Sequence, residues 1–479
     1  MSLSAPPTTA VRHLSAAAAS RLLGAWHASG PAYLALADAL RAAVLSGSLA
    51  PLTRLPSERE LARVLGLSRT TTSAAYDRLR ELGFATSQVG SGTVAVLPRS
   101  AGLPVRPQAP AGDGPLPPLS DPSGPIEMSQ ATPSAPDALH AAYERALEML
   151  PAYLGTGGYS HLGLDVLREA VAQRYTDRGV PTSPDQVLVT TGGQQAIALL
   201  ATTLVGRTEP VVVESPTYYH AIEALQRAGA RCVGVPVGDV ESLASAVHRT
   251  RARLAYLVPD FHNPTGRTLT AEDRETVAHL TDRYGVTVVG DETLTDLDLD
   301  GGTVPGPFCG DGTDNRLVSV GSASKSFWGG LRIGWVRADP QLVQRLARTR
   351  QALDISTPVL EQLTVVELLA RRDAILPARV ADLRERRDHL VGLVRDRFPA
   401  WDAPSPAGGL CLWTGIGRPA GQALAAAAVA EGLRIGAGPQ FTPDGSAQDR
   451  IRLVYTGSPE TLTDAVDRLE RAWRRVAGA

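Results

Sequence analysis

The sequence predicts an α/β protein of two modules joined by a Pro-rich linker. Three observations carry that expectation. At 479 residues the chain is too long for one hydrophobic core. Its composition breaks at Pro98–Pro125, where nine prolines fall with almost no periodic apolar pattern. From Ile126 onward, short apolar strands alternate with helical stretches, which argues for a mostly parallel central sheet. The expected boundaries are an N-terminal helical extension over 1–30, a small module over 31–97, the linker over 98–126 and a large module over 127–479.

Bulk composition narrows the classes. Hydrophobic residues make up 43 % and charged residues 20 %, ordinary values for a soluble globular protein. A formal net charge of −2 points to no nucleic-acid partner, although a local basic patch suffices for one. Cys232, Cys309 and Cys411 lie too far apart for a metal motif or a disulfide framework. With no secretory segment, they point to a reducing cytoplasm. No stretch approaches ~18 uninterrupted apolar residues, so no membrane span is expected. Ala16–Ala19 sits in an Arg/His/Ser context that mimics a transit peptide, but it runs straight into helical pattern and reads as an N-terminal helix.

In the small module Leu34, Leu36, Leu40, Val44 and Leu45 repeat at helical spacing until Gly47. Ser57 with Glu60 three residues on forms a capping box for a second helix, and Gly66 makes the turn. Ser68 caps a third helix, Arg69–Leu82, with Leu67, Ala75, Leu79 and Leu82 inward. Phe84–Ser87 and Thr93–Leu97 flank Gly90-Ser91-Gly92 as a two-stranded wing. Helix, helix, turn, helix, hairpin is a winged helix-turn-helix. The hydroxyls and arginine of Ser68-Arg69-Thr70-Thr71-Thr72 suit phosphate and major-groove contact, and from 31 to 97 seven Arg meet five Asp or Glu. Leu55-Pro56-Ser57-Glu58-Arg59-Glu60-Leu61-Ala62, Leu67-Ser68-Arg69-Thr70-Thr71, Ala75-Tyr76-Asp77-Arg78-Leu79 and Gly90-Ser91-Gly92-Thr93 resemble the GntR family of bacterial transcription regulators. The resemblance implies DNA contacts at Arg59, Ser68, Arg69, Thr70, Thr71 and Gly90. Ser73 stands where some relatives carry arginine, which implies a different base preference.

In the large module the expected strands are Val187–Thr190, Val211–Glu214, Arg231–Val235, Ala255–Val258, Thr287–Val289 and Leu317–Val320. Ligands bind beyond the C-terminal ends of such strands. Thr191-Gly192-Gly193-Gln194 opens a helix whose N-terminus favours a phosphate. Tyr218 offers a ring face, and Asn263, Asp291 and Ser322-Ala323-Ser324-Lys325 follow further strands. Lys325 is the sole lysine; the other 46 basic side chains are arginine. A primary amine forms a Schiff base, which a guanidinium does not. One ligand satisfies the set: pyridoxal 5′-phosphate (PLP), with Lys325 on the aldehyde, Asp291 on the pyridine nitrogen, Asn263 on the ring hydroxyl and Tyr218 on the ring face. Gly193, Gln194, Ser322 and Arg332 take the phosphate, while Arg452 suits a substrate carboxylate.

Asn263-Pro264-Thr265-Gly266, Ser322-Ala323-Ser324-Lys325 with Gly330-Leu331-Arg332-Ile333-Gly334-Trp335, and Gly408-Gly409 resemble the fold-type I PLP-dependent transferases of the aspartate aminotransferase family, with a small C-terminal α+β subdomain. The resemblance implies a homodimer in which Tyr159 reaches the neighbouring subunit's cofactor phosphate. The chain departs from the family at Asp291-Glu292-Thr293, where a tyrosine usually follows the aspartate. The two modules together resemble the MocR subfamily of GntR regulators. That implies a regulator binding double-stranded operator DNA and sensing PLP or an amino compound through chemistry at Lys325. Two other readings stay open here: a working aminotransferase with an accessory DNA-binding module, and a DNA-binding repressor with a purely structural PLP domain.

Overall fold

The computed structural model describes residues 12–24, 26, 31–45, 48–49, 53–88, 92–96, 124–302, 305–309 and 316–478. The expected linker and Gly47 therefore lie outside the described residues, apart from the linker's last positions. The chain divides into two compact units, 1–121 with 134–141, and 122–133 with 142–479.

The first unit is built by its caps. Ser57 Oγ accepts from Glu60 N at 3.3 Å while Glu60 returns a carboxylate to Ser57 N at 3.1 Å, opening helix Glu58–Leu65. Gly66 at φ +68° closes it. Ser68 then caps Arg69–Glu81, accepting from Thr71 N at 3.0 Å. Tyr76 OH donates to Pro56 O at 2.8 Å and pins this helix to the preceding loop. The hairpin pairs β3 (Ala85–Gln88) with β4 (Gly92–Ala95), about one residue out of step with the expected strands. Arg80 ties the helix to the wing through Ser87 at 3.1 Å and Thr93 at 3.2 Å.

The wing sheet is larger than expected. β1 (Arg12–His13) and β2 (Thr53–Arg54) extend it to the order β1-β2-β4-β3. Helix Ala16–Leu23 places Ala19 and Leu23 in the same core as Leu36, Leu40, Leu61, Tyr76 and Leu79. Residues 12–23 are thus structurally part of the winged unit.

The second unit opens with β5 (Ile126–Met128). Its large sheet uses β6 (Val187–Thr190), β7 (Pro210–Ser215), β8 (Arg231–Pro236), β9 (Leu254–Leu257), β10 (Thr287–Asp291), β11 (Leu317–Ser322) and β12 (Gly334–Arg337), in the order β6-β12-β11-β10-β9-β7-β8. Neighbours pair in parallel except around β12, which is antiparallel to both β11 and β6. Apart from the edge strand β8, the strands are buried almost throughout because helices cover both faces. Gly193–Leu204 and Pro340–Arg350 pack Leu199, Leu200, Val343 and Leu346 against Val213, Val318 and Val336. A smaller sheet adds β13 (Cys411–Gly415), β14 (Leu433–Ala437) and β15 (Arg450–Val454), ordered β13-β15-β14-β5, so that β5 pairs in parallel with β14. Helices Arg372–Arg397, Gly421–Ala430 and Pro459–Ala477 form the core of this α+β subdomain with it.

Candidate functional site

The phosphate end starts where β6 stops. Gly192, at φ +86°, precedes helix Gly193–Leu204, and no side chain caps its first amides. A Cβ at Gly192 would meet Arg332 Nη2 at 2.7 Å, so glycine lets the guanidinium approach. Arg332 donates to Thr191 O at 3.0 Å from a left-handed backbone (φ +52°), a conformation that costs a non-glycine residue roughly 1 kcal/mol. Gly193 lies beside Ser322: a Cβ there would stand 3.6 Å from Ser322 Cβ. Ser322 Oγ accepts from Ser324 N at 3.1 Å. Gln194 Nε2 donates to His220 O at 2.9 Å, and its buried Oε1 has no partner among the described residues.

At the ring end, Tyr256 OH donates to Asp291 Oδ2 at 2.7 Å and Thr293 N donates to Oδ1 at 3.0 Å. Tyr256 lies opposite Val289, two residues before Asp291, so both side chains share one sheet face. Burial pushes the Asp291 carboxyl up, opposed by the Tyr256 and Thr293 hydrogen bonds and by the charge of Lys325. Burial, then the Asp291 charge, raises the Tyr218 phenol, while Arg452 and Arg332 pull it back. Asn263 Oδ1 accepts from Arg452 Nη1 at 2.8 Å, which leaves Nδ2 as its donor end.

Lys325 stands between these ends. Its Nζ donates to Ala131 O at 2.7 Å. Burial lowers the amine to about 8, helped by the Arg452 and Arg332 charges and opposed by Asp291. Arg452 also donates Nη2 to Ser129 O, and its guanidinium lies 4.6 Å from the Phe441 ring centre and 6.0 Å from that of Tyr219. Cys411 Sγ sits 3.6 Å from Pro264 O and 3.9 Å from Asn263 Oδ1. Tyr159 is 71 % exposed and makes none of these contacts.

The arrangement fits PLP on its own chemistry. An uncapped helix N-terminus with a neighbouring guanidinium suits a phosphate dianion, a doubly hydrogen-bonded carboxylate suits a protonated pyridine, and an amine of lowered pKa suits an aldehyde. Sequence reasoning missed Tyr256, Ser129 and Ala131. Tyr256 left one signal, a phenol within the otherwise apolar strand Leu-Ala-Tyr-Leu.

In the winged unit Arg59, Arg69 and Thr70 are exposed. Ser68 and Thr71 direct their hydroxyls at each other, at 2.7 Å, as part of the cap. Gly90 lies outside the described residues. Among the described residues no group of His, Cys, Asp and Glu could hold a metal ion, and no helix is long and apolar enough to cross a membrane.

Fold and site together define a PLP-binding α/β domain carried behind a winged helix-turn-helix. The comparisons with known proteins agree. The family described as aminotransferase class I and II matches residues 130–469, and that of bacterial regulatory proteins, gntR family, matches residues 32–94. The chain is 28 % identical over 394 residues to the uncharacterized HTH-type transcriptional regulator YisV of Bacillus subtilis, covering 77 % of this chain and 81 % of that protein. It is 30 % identical over 353 residues to the 2-aminoadipate transaminase of Thermus thermophilus, covering 72 % and 85 %. The solved α-aminoadipate aminotransferase LysN of Thermus thermophilus, complexed with N-(5′-phosphopyridoxyl)-L-leucine, superposes with a TM-score of 0.68 at 28 % identity, over 74 % of this chain and 94 % of that one. The chain belongs to the aminotransferase class I and II family and carries a GntR-type DNA-binding domain, the architecture of MocR-type transcriptional regulators.

Proposed function

We propose that this regulator senses PLP, or PLP together with an amino compound, through Lys325, and that the change is passed to operator DNA. One observation carries the reading. The only lysine of the chain has its amine held at about 8, among Asp291, Arg332 and Arg452, in a protein that also presents a capped DNA-reading helix. PLP, once bound, supplies an aldehyde carbon and an electron-withdrawing ring. Asp291 would hold the pyridine proton, Asn263 Nδ2 would donate to the ring hydroxyl oxygen, and Tyr218 would cover the ring. The Gly193 and Gln194 amides, Ser322 and Arg332 would hold the phosphate. Arg452, lined by Phe441 and Tyr219, would take the carboxylate of an amino compound.

Arg59, Arg69 and Thr70 are exposed side chains offered to DNA. Ser68 and Thr71 serve by shaping the helix start. A second copy of the chain would complete the molecule: Tyr159, Leu154, Leu147 and Leu353 are large apolar or aromatic side chains left exposed, and a homodimer would cover them. Full transamination is the second reading, favoured by the 30 % identity to a 2-aminoadipate transaminase. Titrating operator DNA at fixed salt, with and without PLP and a panel of amino acids, tests the sensing reading. Unchanged DNA affinity alongside a changed visible spectrum sinks it, and steady keto-acid release with two substrates favours the enzyme.

A further inference from the structure

Two side chains assigned to small-molecule recognition are both engaged with one short stretch of backbone. Lys325 Nζ donates to Ala131 O at 2.7 Å, and Arg452 Nη2 donates to Ser129 O. That stretch follows β5 directly, and residues 97–123, which connect to the winged unit in the sequence, precede it. Upstream, Ser129 is fastened to its own strand, since its N donates to Glu127 Oε1 at 2.7 Å and Glu127 faces Arg434 of β14 at 3.9 Å. Downstream, Thr132 N donates to Gln130 O at 3.0 Å in a tight turn. The Ala131 carbonyl itself is held by the lysine.

We propose that residues 129–131 are a ligand-released tether: Lys325 and Arg452 hold it, and occupation of these two side chains by ligand frees it. The inference rests on the assignment of Lys325 and Arg452 made above, and adds how the site is regulated. At Lys325 the chemistry requires the exchange. When the neutral Lys325 amine condenses with an aldehyde, a C=N bond forms and the C=O bond breaks. The oxygen leaves as water with both amine hydrogens, so Nζ keeps no hydrogen to donate to Ala131 O. A bidentate carboxylate on Arg452, taking Nη2 and the Nε–H that has no partner among the described residues, draws the guanidinium toward itself and weakens its hold on Ser129 O, because a charge-assisted pair is stronger than a bond to a neutral carbonyl. Each input removes one fastening, so an aldehyde and a carboxylate together loosen the segment more than either alone.

Hydrogen–deuterium exchange of the peptide spanning 124–137, measured on the full chain, tests the tether. PLP should speed its exchange by about fivefold, the effect of losing one net hydrogen bond. Lys325→Met keeps the length of the side chain without a donor, and should exchange fast with or without PLP. Lys325→Arg keeps a donor and cannot condense, and should exchange slowly in both states. Arg452→Ala, with Lys325 intact, should raise the starting rate and leave a further rise on adding PLP. The tether is overturned if the PLP absorbance band shifts on the wild type while the peptide's exchange does not move, or if the Met and Arg variants exchange alike. A PLP absorbance band that does not shift on the wild type, or shifts equally on Lys325→Met, would instead overturn the assignment of Lys325 on which the tether rests.

Discussion

The phenol of Tyr256 donates to the carboxylate of Asp291 across adjacent strands, O to O at 2.7 Å, both side chains being buried. Thr293, two residues after the aspartate, sets its amide on the other carboxylate oxygen at 3.0 Å. Both donors favour the ionised carboxylate and so oppose, without cancelling, the upward push of burial.

Tyr256→Phe removes one of those donors. The Asp291 carboxyl should rise further and PLP should bind about ten- to a hundredfold more weakly, the weight of one buried hydrogen bond to a charged group. A fluorescence or absorbance titration reads this directly, and an unchanged dissociation constant would show that Asp291 needs no help from β9.

Lys325, lowered to about 8, sets a pH dependence. Only the neutral amine attacks an aldehyde, so the initial rate of PLP capture should climb with pH and level off near 8 instead of climbing on toward the ordinary lysine value near 10.4. The same shift has a stability sign. Between about pH 8 and 10 the unfolded chain binds a proton at this position that the folded chain does not, so stability from this residue rises with pH through that window. Lys325→Met should flatten both profiles.

Arg69→Ala should weaken operator binding and lower the slope of log affinity against log salt by about 1, the signature of one lost phosphate contact. Loss of affinity with an unaltered slope would assign Arg69 to a base edge.

Ser57→Ala removes the hydroxyl that caps helix Glu58–Leu65 together with its 2.8 Å bond to Glu60 Oε2, and leaves the backbone N–H that Glu60 also accepts from. It should cost the winged unit about 1 kcal/mol and lower its thermal transition. Calorimetry of the full chain should show the effect in that transition alone.

The fold was readable where side chains announce period. Val187–Thr190 is a run of apolar residues closed by a glycine turn, and the strand lies at those positions. Gly321-Ser322 extends β11 past its apolar stretch because ladder pairing with β12 carries it on, a tertiary effect with no local pattern. β12 itself, Gly-Trp-Val-Arg, was hidden because it is short and its register comes from Val187–Thr190 on one side and Ser319–Ser322 on the other. β1 is two residues long and carries no period at all. In the site, lysine, aspartate and arginine side chains are chemically distinctive and were visible. The carbonyls of Ser129 and Ala131 belong to every residue type alike, so nothing in the sequence marks them as partners of Arg452 and Lys325.

The parallel pairing of β5 with β14 bears on how the molecule can be dissected. Leu433 and Ile435 are buried on a strand whose outer edge is covered only by Ile126–Met128. A fragment trimmed to begin after Met128 would bare a row of unpaired amides and carbonyls beside that apolar strand, an invitation to edge-to-edge aggregation. An isolated C-terminal half that stays monodisperse should therefore start upstream of Ile126.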